Sequence, residues 1–74
     1  MTDQVSHLRL RFGMVAVRKE LVTMEQLVEA MTIQVREDVE GKPHRRIGEI
    51  LADLGHMTPS QIDEVLMEIA AGRG

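Results

Sequence analysis

The sequence predicts an all-α fold in which two helix-corner-helix repeats pack as a four-helix domain around a pseudo-twofold axis. The main observation is a tandem repeat: segment 46–69 matches segment 11–34 at an offset of 35, with five identical positions and eight more that are apolar in both copies. Apolar residues also recur at helical spacing in both copies. No segment alternates apolar and polar residues as a strand would.

The identical pairs divide the chain into a single domain, 1–74, with repeat one at 11–34, a linker at 35–45 and repeat two at 46–69. They are Arg11 and Arg46, Gly13 and Gly48, Thr23 and Thr58, Gln26 and Gln61, and Glu29 and Glu64. One helical pair of this length has too little apolar surface to fold alone, so the two repeats are expected to pack face to face.

The first two helices form repeat one. The first is predicted to be capped by Thr2 or Asp3 and to end near Glu20 or Leu21. Its inner face has apolar residues at i, i+4, i+7 and i+8: Leu8, Phe12, Val15 and Ala16. Thr23 and Gln26 have the spacing of a capping box, so the second helix should run from Met24 to about Arg36. Its predicted buried stripe comprises Met24, Leu27, Met31 and Val35, supported by Val28 and Ala30.

A loop from Glu37 to His44, rich in charge and containing Gly and Pro, is predicted to precede repeat two. The third helix should run from Arg45 to about Leu54 and end at Gly55 in a left-handed cap. Thr58, Pro59 and Gln61 form the strongest helix start in the chain. The inner face of the fourth helix is predicted to contain Ile62, Val65, Leu66, Ile69 and Ala70.

Composition narrows the classes of function. The chain has no Cys, Trp or Tyr and a single Phe, which excludes disulfides, thiolate metal sites and aromatic platforms for single-stranded nucleic acid. A net charge of −3 disfavours general nucleic-acid binding. Without an apolar signal core or a membrane-length apolar run, the expected location is cytoplasmic.

The repeated glycines allow two interpretations. A glycine inside a helix costs about 1 kcal/mol relative to alanine, so Gly13 and Gly48 require compensation. Close helix packing is the simpler explanation, and backbone approach by a ligand is the other. Arg11 and Arg46 precede these glycines by two residues, where each is either a solvated arginine or a fork for a phosphate or a base.

Catalytic and metal chemistry receive little support, and the chain is not expected to be an enzyme. Asp53 and His56 offer two ligands at i, i+3, but zinc requires three or four that converge. Ser6 and Ser60 have no histidine at a spacing that indicates activation. The basic segment 42–46 adjoins the acidic segment 36–40 and precedes no basic recognition helix, so a DNA-binding helix-turn-helix is a minor alternative.

The repeated pattern, an arginine two residues before a glycine, a second glycine seven residues later and then a threonine, resembles the tandem motif of the MshEN family. These are N-terminal domains of type II secretion and type IV pilus assembly ATPases. The resemblance covers segment 11–69, with the second copy the closer. It implies a surface for cyclic di-GMP, contacted by Arg11, Gly13 and Gln34 of the first copy and by Arg46, Gly48 and Gly55 of the second.

Three features depart from the family pattern. Glu20 replaces a glycine in the first copy, Ile69 replaces the closing glutamine of the second, and the linker is longer. An acidic side chain beside a doubly anionic ligand is unfavourable. Nothing in the sequence resembles the family's ATPase domain, so any role is expected to come from the small module itself, from self-association or from a partner.

Three functional hypotheses follow. The first is a non-enzymatic module that acts as a regulator or adaptor through contact with a protein partner. Five methionines offer adaptable apolar surface for that contact: Met14, Met24, Met31, Met57 and Met67. The second is a cyclic di-GMP receptor that needs no other cofactor and no metal. The third is a structural homodimer whose apolar surface completes the core.

Overall fold

The domain consists of helices whose ends are set by local signals in the sequence. The computed structural model describes residues 2–72, and it describes side chains from Leu10 onward. The helices are α1 (Thr2–Arg18), α2 (Met24–Val39), α3 (Ile47–Asp53) and α4 (Pro59–Ala70). Residues 2–72 contain no strand, so the predicted all-α class is confirmed. None of these helices is long and apolar enough to span a bilayer.

Helices α2 and α4 begin with the predicted capping boxes. Thr23 Oγ1 accepts from the Gln26 backbone N–H at 3.1 Å, and Gln26 Oε1 accepts from the Thr23 backbone N–H at 2.9 Å. Thr58 and Gln61 make the same two bonds at 3.2 and 2.9 Å. Each box satisfies two backbone donors that a helix start would otherwise leave without a partner.

The predicted boundaries need small corrections. Helix α2 continues three residues past Arg36, and Gly41, with φ +78°, terminates it by donating to the carbonyl of Asp38. Helix α3 begins at Ile47 rather than Arg45, because Arg46 is its extended N-cap residue. The loop between α2 and α3 is therefore 40–46 rather than the predicted 37–44.

The core draws on both repeats at equivalent positions. Its buried apolar residues are Phe12, Val15, Ala16, Val22, Leu27, Ala30, Ile47, Ile50, Leu51, Met57 and Val65. Five of the six residues from repeat one have a buried counterpart at an offset of 35, and the counterpart of Leu27, Ile62, is half-buried. The predicted inner face of α1 is thus confirmed from Phe12 onward, while Leu8 lies outside the described side chains.

The packing pairs each helix with one from the other repeat. Helix α1 packs against α4 and α2 packs against α3, and α1 also contacts α3 and α2. If α1 is exchanged with α3 and α2 with α4, the α1–α4 contact becomes the α3–α2 contact, as a pseudo-twofold arrangement requires. The pseudo-twofold axis itself stays a prediction.

The predicted inner faces of α2 and α4 are partly wrong. On α2 the buried residues are Leu27, Ala30 and Gln34, whereas Met24, Val28 and Val35 are about half exposed or more. On α4, Val65 is buried and Ile62 and Ile69 are half-buried, but Leu66 and Ala70 are exposed. Both helices carry apolar residues around more than one face, so spacing alone could not decide which face the neighbouring helices would cover.

Candidate binding surfaces

The six residues implied as ligand contacts have very different environments. Gly13, Gln34 and Gly48 are buried, Arg11 is half-buried, and Arg46 and Gly55 are exposed. The exposed pair lies at the two ends of α3, where Arg46 is the N-cap residue and Gly55 follows the C-cap. Their role in ligand binding stays a prediction.

The two interior glycines lie at close helix contacts. A Cβ on Gly13 would lie 2.8 and 2.9 Å from the two δ carbons of Leu27, and a Cβ on Gly48 would lie 3.0 Å from Cζ of Phe12. Protein side chains therefore cover the space in front of both glycines. Close packing therefore explains why both repeats have glycine at this position. A ligand would reach the backbone of Gly13 only by displacing Leu27, and that of Gly48 only by displacing Phe12.

Buried Gln34 has a structural partner. Its Nε2 donates to the backbone carbonyl of Arg45 at 2.8 Å, which holds the end of the linker against α2. Only 3% of Gln34 is exposed, and a buried amide requires such a partner. Ile69, the counterpart of Gln34 in repeat two, is half-buried and apolar, so this linker contact belongs to repeat one alone.

Arg45 forms an ionic clasp between α2, the linker and α3. Its Nε and Nη2 donate to the two carboxylate oxygens of Glu37 at 3.1 and 2.6 Å, and its Nη1 donates to Asp53 at 2.5 Å. The hydrogen bond from Arg45 lowers the pKa of Glu37 below its ordinary value, and the same bond raises the pKa of Arg45. Sequence reasoning missed this clasp because Glu37 and Asp53 lie eight residues before and after Arg45, on different helices.

The clasp and two further pairs occupy most of the basic segment 42–46. His44 Nδ1 lies 3.1 Å from Asp38, and Lys42 lies 3.3 Å from Glu40. The neighbouring acids of segment 36–40 therefore engage this segment, as their proximity in the sequence indicates. This arrangement disfavours a phosphate-binding role for Lys42, His44 and Arg45.

Equivalent glutamates join the two repeats at their corners. Glu29 of α2 accepts from His56 at 3.0 Å, and Glu64 of α4, its counterpart, accepts from Lys19 at 3.0 Å. His56 also lies 3.4 Å from Gln26, while Asp53 faces Arg45 instead. Asp53 and His56 are thus engaged with different partners, and no three possible metal ligands converge among the described residues.

The largest exposed apolar feature of α2 is a row we call the α2 stripe, which comprises Met24, Val28, Val35 and Val39. These side chains are 58, 53, 51 and 81% exposed, and their spacing of four, seven and four residues places them on one face. Between them, Met31 and Thr32 complete a shallow surface depression with Val28, Val35 and Arg36. A contiguous apolar row on a small domain indicates a contact surface.

Repeat two shows that the fold does not require this row. The counterparts of Met24, Val28 and Val35 on α4 are Pro59, Asp63 and Ala70. All three are exposed, and the helix forms in the same scaffold with a carboxylate in place of a valine. Two features of the sequence could have revealed the α2 stripe. One is this difference between the repeats, and the other is that the apolar residues of α2 extend around too much of the helix to be buried on one face.

Comparison with known proteins finds no match: no protein family fits the chain, and neither the curated proteins nor the solved structures contain a significant relative.

Proposed function

We propose that this chain is a small, non-enzymatic helical binding module that acts as a regulator or adaptor by protein-protein contact through the α2 stripe. The observation that carries the proposal is the half or greater exposure of all four stripe residues. Apolar side chains gain free energy only when another surface removes them from water. A protein surface of similar apolar character would provide that burial.

Helix propensity supports the same proposal. Valine is a weaker helix former than the alanine or charged residues that suit a solvent-exposed helix position. Three of the four stripe residues are nevertheless valine. Their presence at exposed positions is explained if the stripe is retained for contact rather than for the stability of α2.

Photocrosslinking from equivalent positions tests the proposal. A photoreactive amino acid is placed at position 28 or, as a matched control, at position 63, and cells of the source organism are irradiated. We expect a discrete adduct with a partner protein from position 28 and little from position 63, because Asp63 interrupts the corresponding face of α4. Equal labelling from both positions, or none from position 28, would count against the proposal.

A cyclic di-GMP receptor is the second candidate, favoured by the backbone of the two corners. Glu20, where the MshEN-like motif has glycine, has φ +64°, in the same left-handed region as Gly55 at +81°. Repeat one therefore has the backbone shape of a glycine corner although the side chain differs. Under this candidate, Arg11 and Arg46 would pair with the phosphates or stack on the guanines.

Calorimetric titration with cyclic di-GMP tests this candidate. The expected result is saturable heat in the wild type that Arg46→Ala abolishes without changing the helical circular dichroism signal. Arg36→Ala is the matched control and should bind normally, because Arg36 is an exposed arginine on α2 and Arg46 is the N-cap residue of α3. An absence of heat at high micromolar ligand would rule the dinucleotide out and leave the protein-contact proposal intact.

A further inference from the structure

We infer that the α2 stripe is covered by the α2 stripe of a second copy of this chain, with the two helices antiparallel. The inference rests on the proposed function of the stripe as a protein-contact surface and names its occupant. Two features of α2 lead to it: the residue order along the stripe and the charges along one of its edges.

The stripe is symmetric about its own midpoint. Met24 and Val39 lie at the ends, Val28 and Val35 lie four residues inside them, and Met31 and Thr32 lie at the centre. In an antiparallel pair centred between residues 31 and 32, Val28 of each copy faces Val35 of the other. Each end then places a Met24 side chain over a Val39 side chain, so all four exposed apolar residues of both copies are buried together.

The charged edge of the stripe selects the antiparallel orientation. Glu25, Glu29 and Arg36 are exposed on the same flank of α2, since successive residues are rotated by roughly 100°. In the antiparallel register, Arg36 lies opposite position 27 of the second copy, between that copy's Glu25 and Glu29. A twofold axis produces this contact twice, whereas in a parallel twofold pair the two flanks lie on opposite sides of the contact and Arg36 meets neither glutamate.

The centre of the stripe contains no polar group that needs a partner across the contact. Thr32 Oγ1 donates to the carbonyl of Val28 on the preceding turn at 2.8 Å. Its hydroxyl is therefore satisfied within α2, and burial of Thr32 against Met31 of the second copy leaves no unpaired donor. The depression lined by Val28, Met31 and Val35 offers space for side chains from the opposing helix.

Sedimentation over a concentration series tests whether a second copy of the chain covers the α2 stripe. We expect the wild type to form a dimer as concentration rises, and Val28→Asp to raise the dissociation constant by at least about tenfold because it buries an unpaired charge. Val28→Asp copies the residue that α4 already has at position 63, so α2 should still fold, which circular dichroism checks. Met67→Asp, at an exposed apolar site on α4, is the matched control and should leave the dimer unchanged.

Engineered cysteines test the register, because the native chain has none. Under mild oxidation, a mixture of Val28→Cys and Val35→Cys chains should form mixed disulfide dimers faster than either variant alone. Two copies of residue 28 would be separated by roughly 10 Å along the antiparallel axis, beyond the span of a disulfide. Asp63→Cys, at the equivalent site on α4, gives the rate of disulfide formation that random collisions produce.

The outcomes separate the inference from the proposal on which it rests. A monomeric wild type at all concentrations would overturn the second-copy inference, while an adduct with a different protein from position 28 would still support the proposed function. Preferential coupling of Val28→Cys to itself would overturn the antiparallel register. Equal coupling through Asp63→Cys would overturn the assignment of the dimer to α2.

Discussion

Glu20 and Gly55 occupy the same backbone conformation at equivalent corners of the two repeats. Their φ angles are +64° and +81°, and the corner hydrogen bonds are equivalent. The Glu20 N–H donates to Val17 and the Leu21 N–H to Ala16, both at 2.9 Å. At an offset of 35, the Gly55 and His56 N–H groups donate at 3.0 and 2.8 Å. The corner geometry therefore persists where a residue with a side chain has replaced glycine.

Glu20→Gly should stabilise the domain. A non-glycine residue in the left-handed region costs about 1 kcal/mol or more, and glycine removes that strain while increasing the entropy of the unfolded chain. We expect a net gain of up to about 1 kcal/mol in the free energy of unfolding, measured by urea titration. Gly55→Ala should lose a similar amount from backbone strain alone, because no atom beyond its chain neighbours lies within 4 Å of its added Cβ.

Gly13→Ala should destabilise the domain through a clash with Leu27. The added methyl group would lie 2.8 Å from a δ carbon of Leu27, so the whole side chain must move. Overpacking costs about 1–3 kcal/mol. The higher helix propensity of alanine offsets about 1 kcal/mol of this cost, so we expect the free energy of unfolding to fall by about 1 kcal/mol. Gly48→Ala should be milder, because its Cβ would lie 3.0 Å from the ring edge of Phe12 and at an ordinary 3.5 Å from Ile62.

A double-mutant cycle identifies the cause of that loss. If Leu27 is the obstacle, Gly13→Ala in a Leu27→Ala background should no longer destabilise and should become favourable through helix propensity. An equal loss in both backgrounds would show that the glycine is needed for some reason other than this contact.

The local signals in this sequence predicted the elements well. Thr23 with Gln26, and Thr58 with Pro59 and Gln61, specify helix starts through short-range hydrogen bonds that do not depend on the rest of the fold. Gly55 specifies an end in the same way. Such signals are readable because the groups that interact lie within a few residues of each other.

The contacts between elements were less predictable. Met24 and Val35 were expected inside but are exposed, because the apolar residues of α2 extend around more than half of the helix and packing against α3 selects one part of that arc. The clasp of Arg45 with Glu37 and Asp53 depends on how the linker folds back. Neither result follows from spacing within one helix. Among the candidate site residues, the packing role of Gly13 could be anticipated, whereas the linker contact of Gln34 could not.

Stability should depend on pH through Glu37. Its folded pKa is lowered from an ordinary value of 4.5 by the hydrogen bond from Arg45, so the contribution of its ionised form is present above that value and is lost as pH falls through the lower folded pKa. We expect the urea midpoint of the wild type to fall more steeply below about pH 4.5 than that of Glu37→Gln. The difference between the two proteins should be largest near neutral pH and should shrink in acid.

Asp63→Asn provides the control for this measurement. Asp63 is an exposed carboxylate on α4, so its substitution removes one carboxylate without affecting the clasp. Its acid dependence should follow that of the wild type. If Glu37→Gln and the wild type lost stability in parallel across the acid range, the clasp would not contribute to the folded state in solution.

Leu51 and Leu66 should differ sharply in their contributions to stability. Leu51 on α3 is 0% exposed within the core shared by the repeats, while Leu66 on α4 is 49% exposed. Leu51→Ala should remove about 3 kcal/mol, because truncation leaves a cavity that the rigid surroundings fill only in part. Leu66→Ala should cost less than about 1 kcal/mol.

Urea titration measures both losses. A domain of this size buries only about 60% of its unfolded surface, so a fixed concentration of a stabilising osmolyte would keep the Leu51 variant folded at the start of the titration. Equal losses in the two variants would contradict the assignment of the core to the face of α3 that contains Leu51.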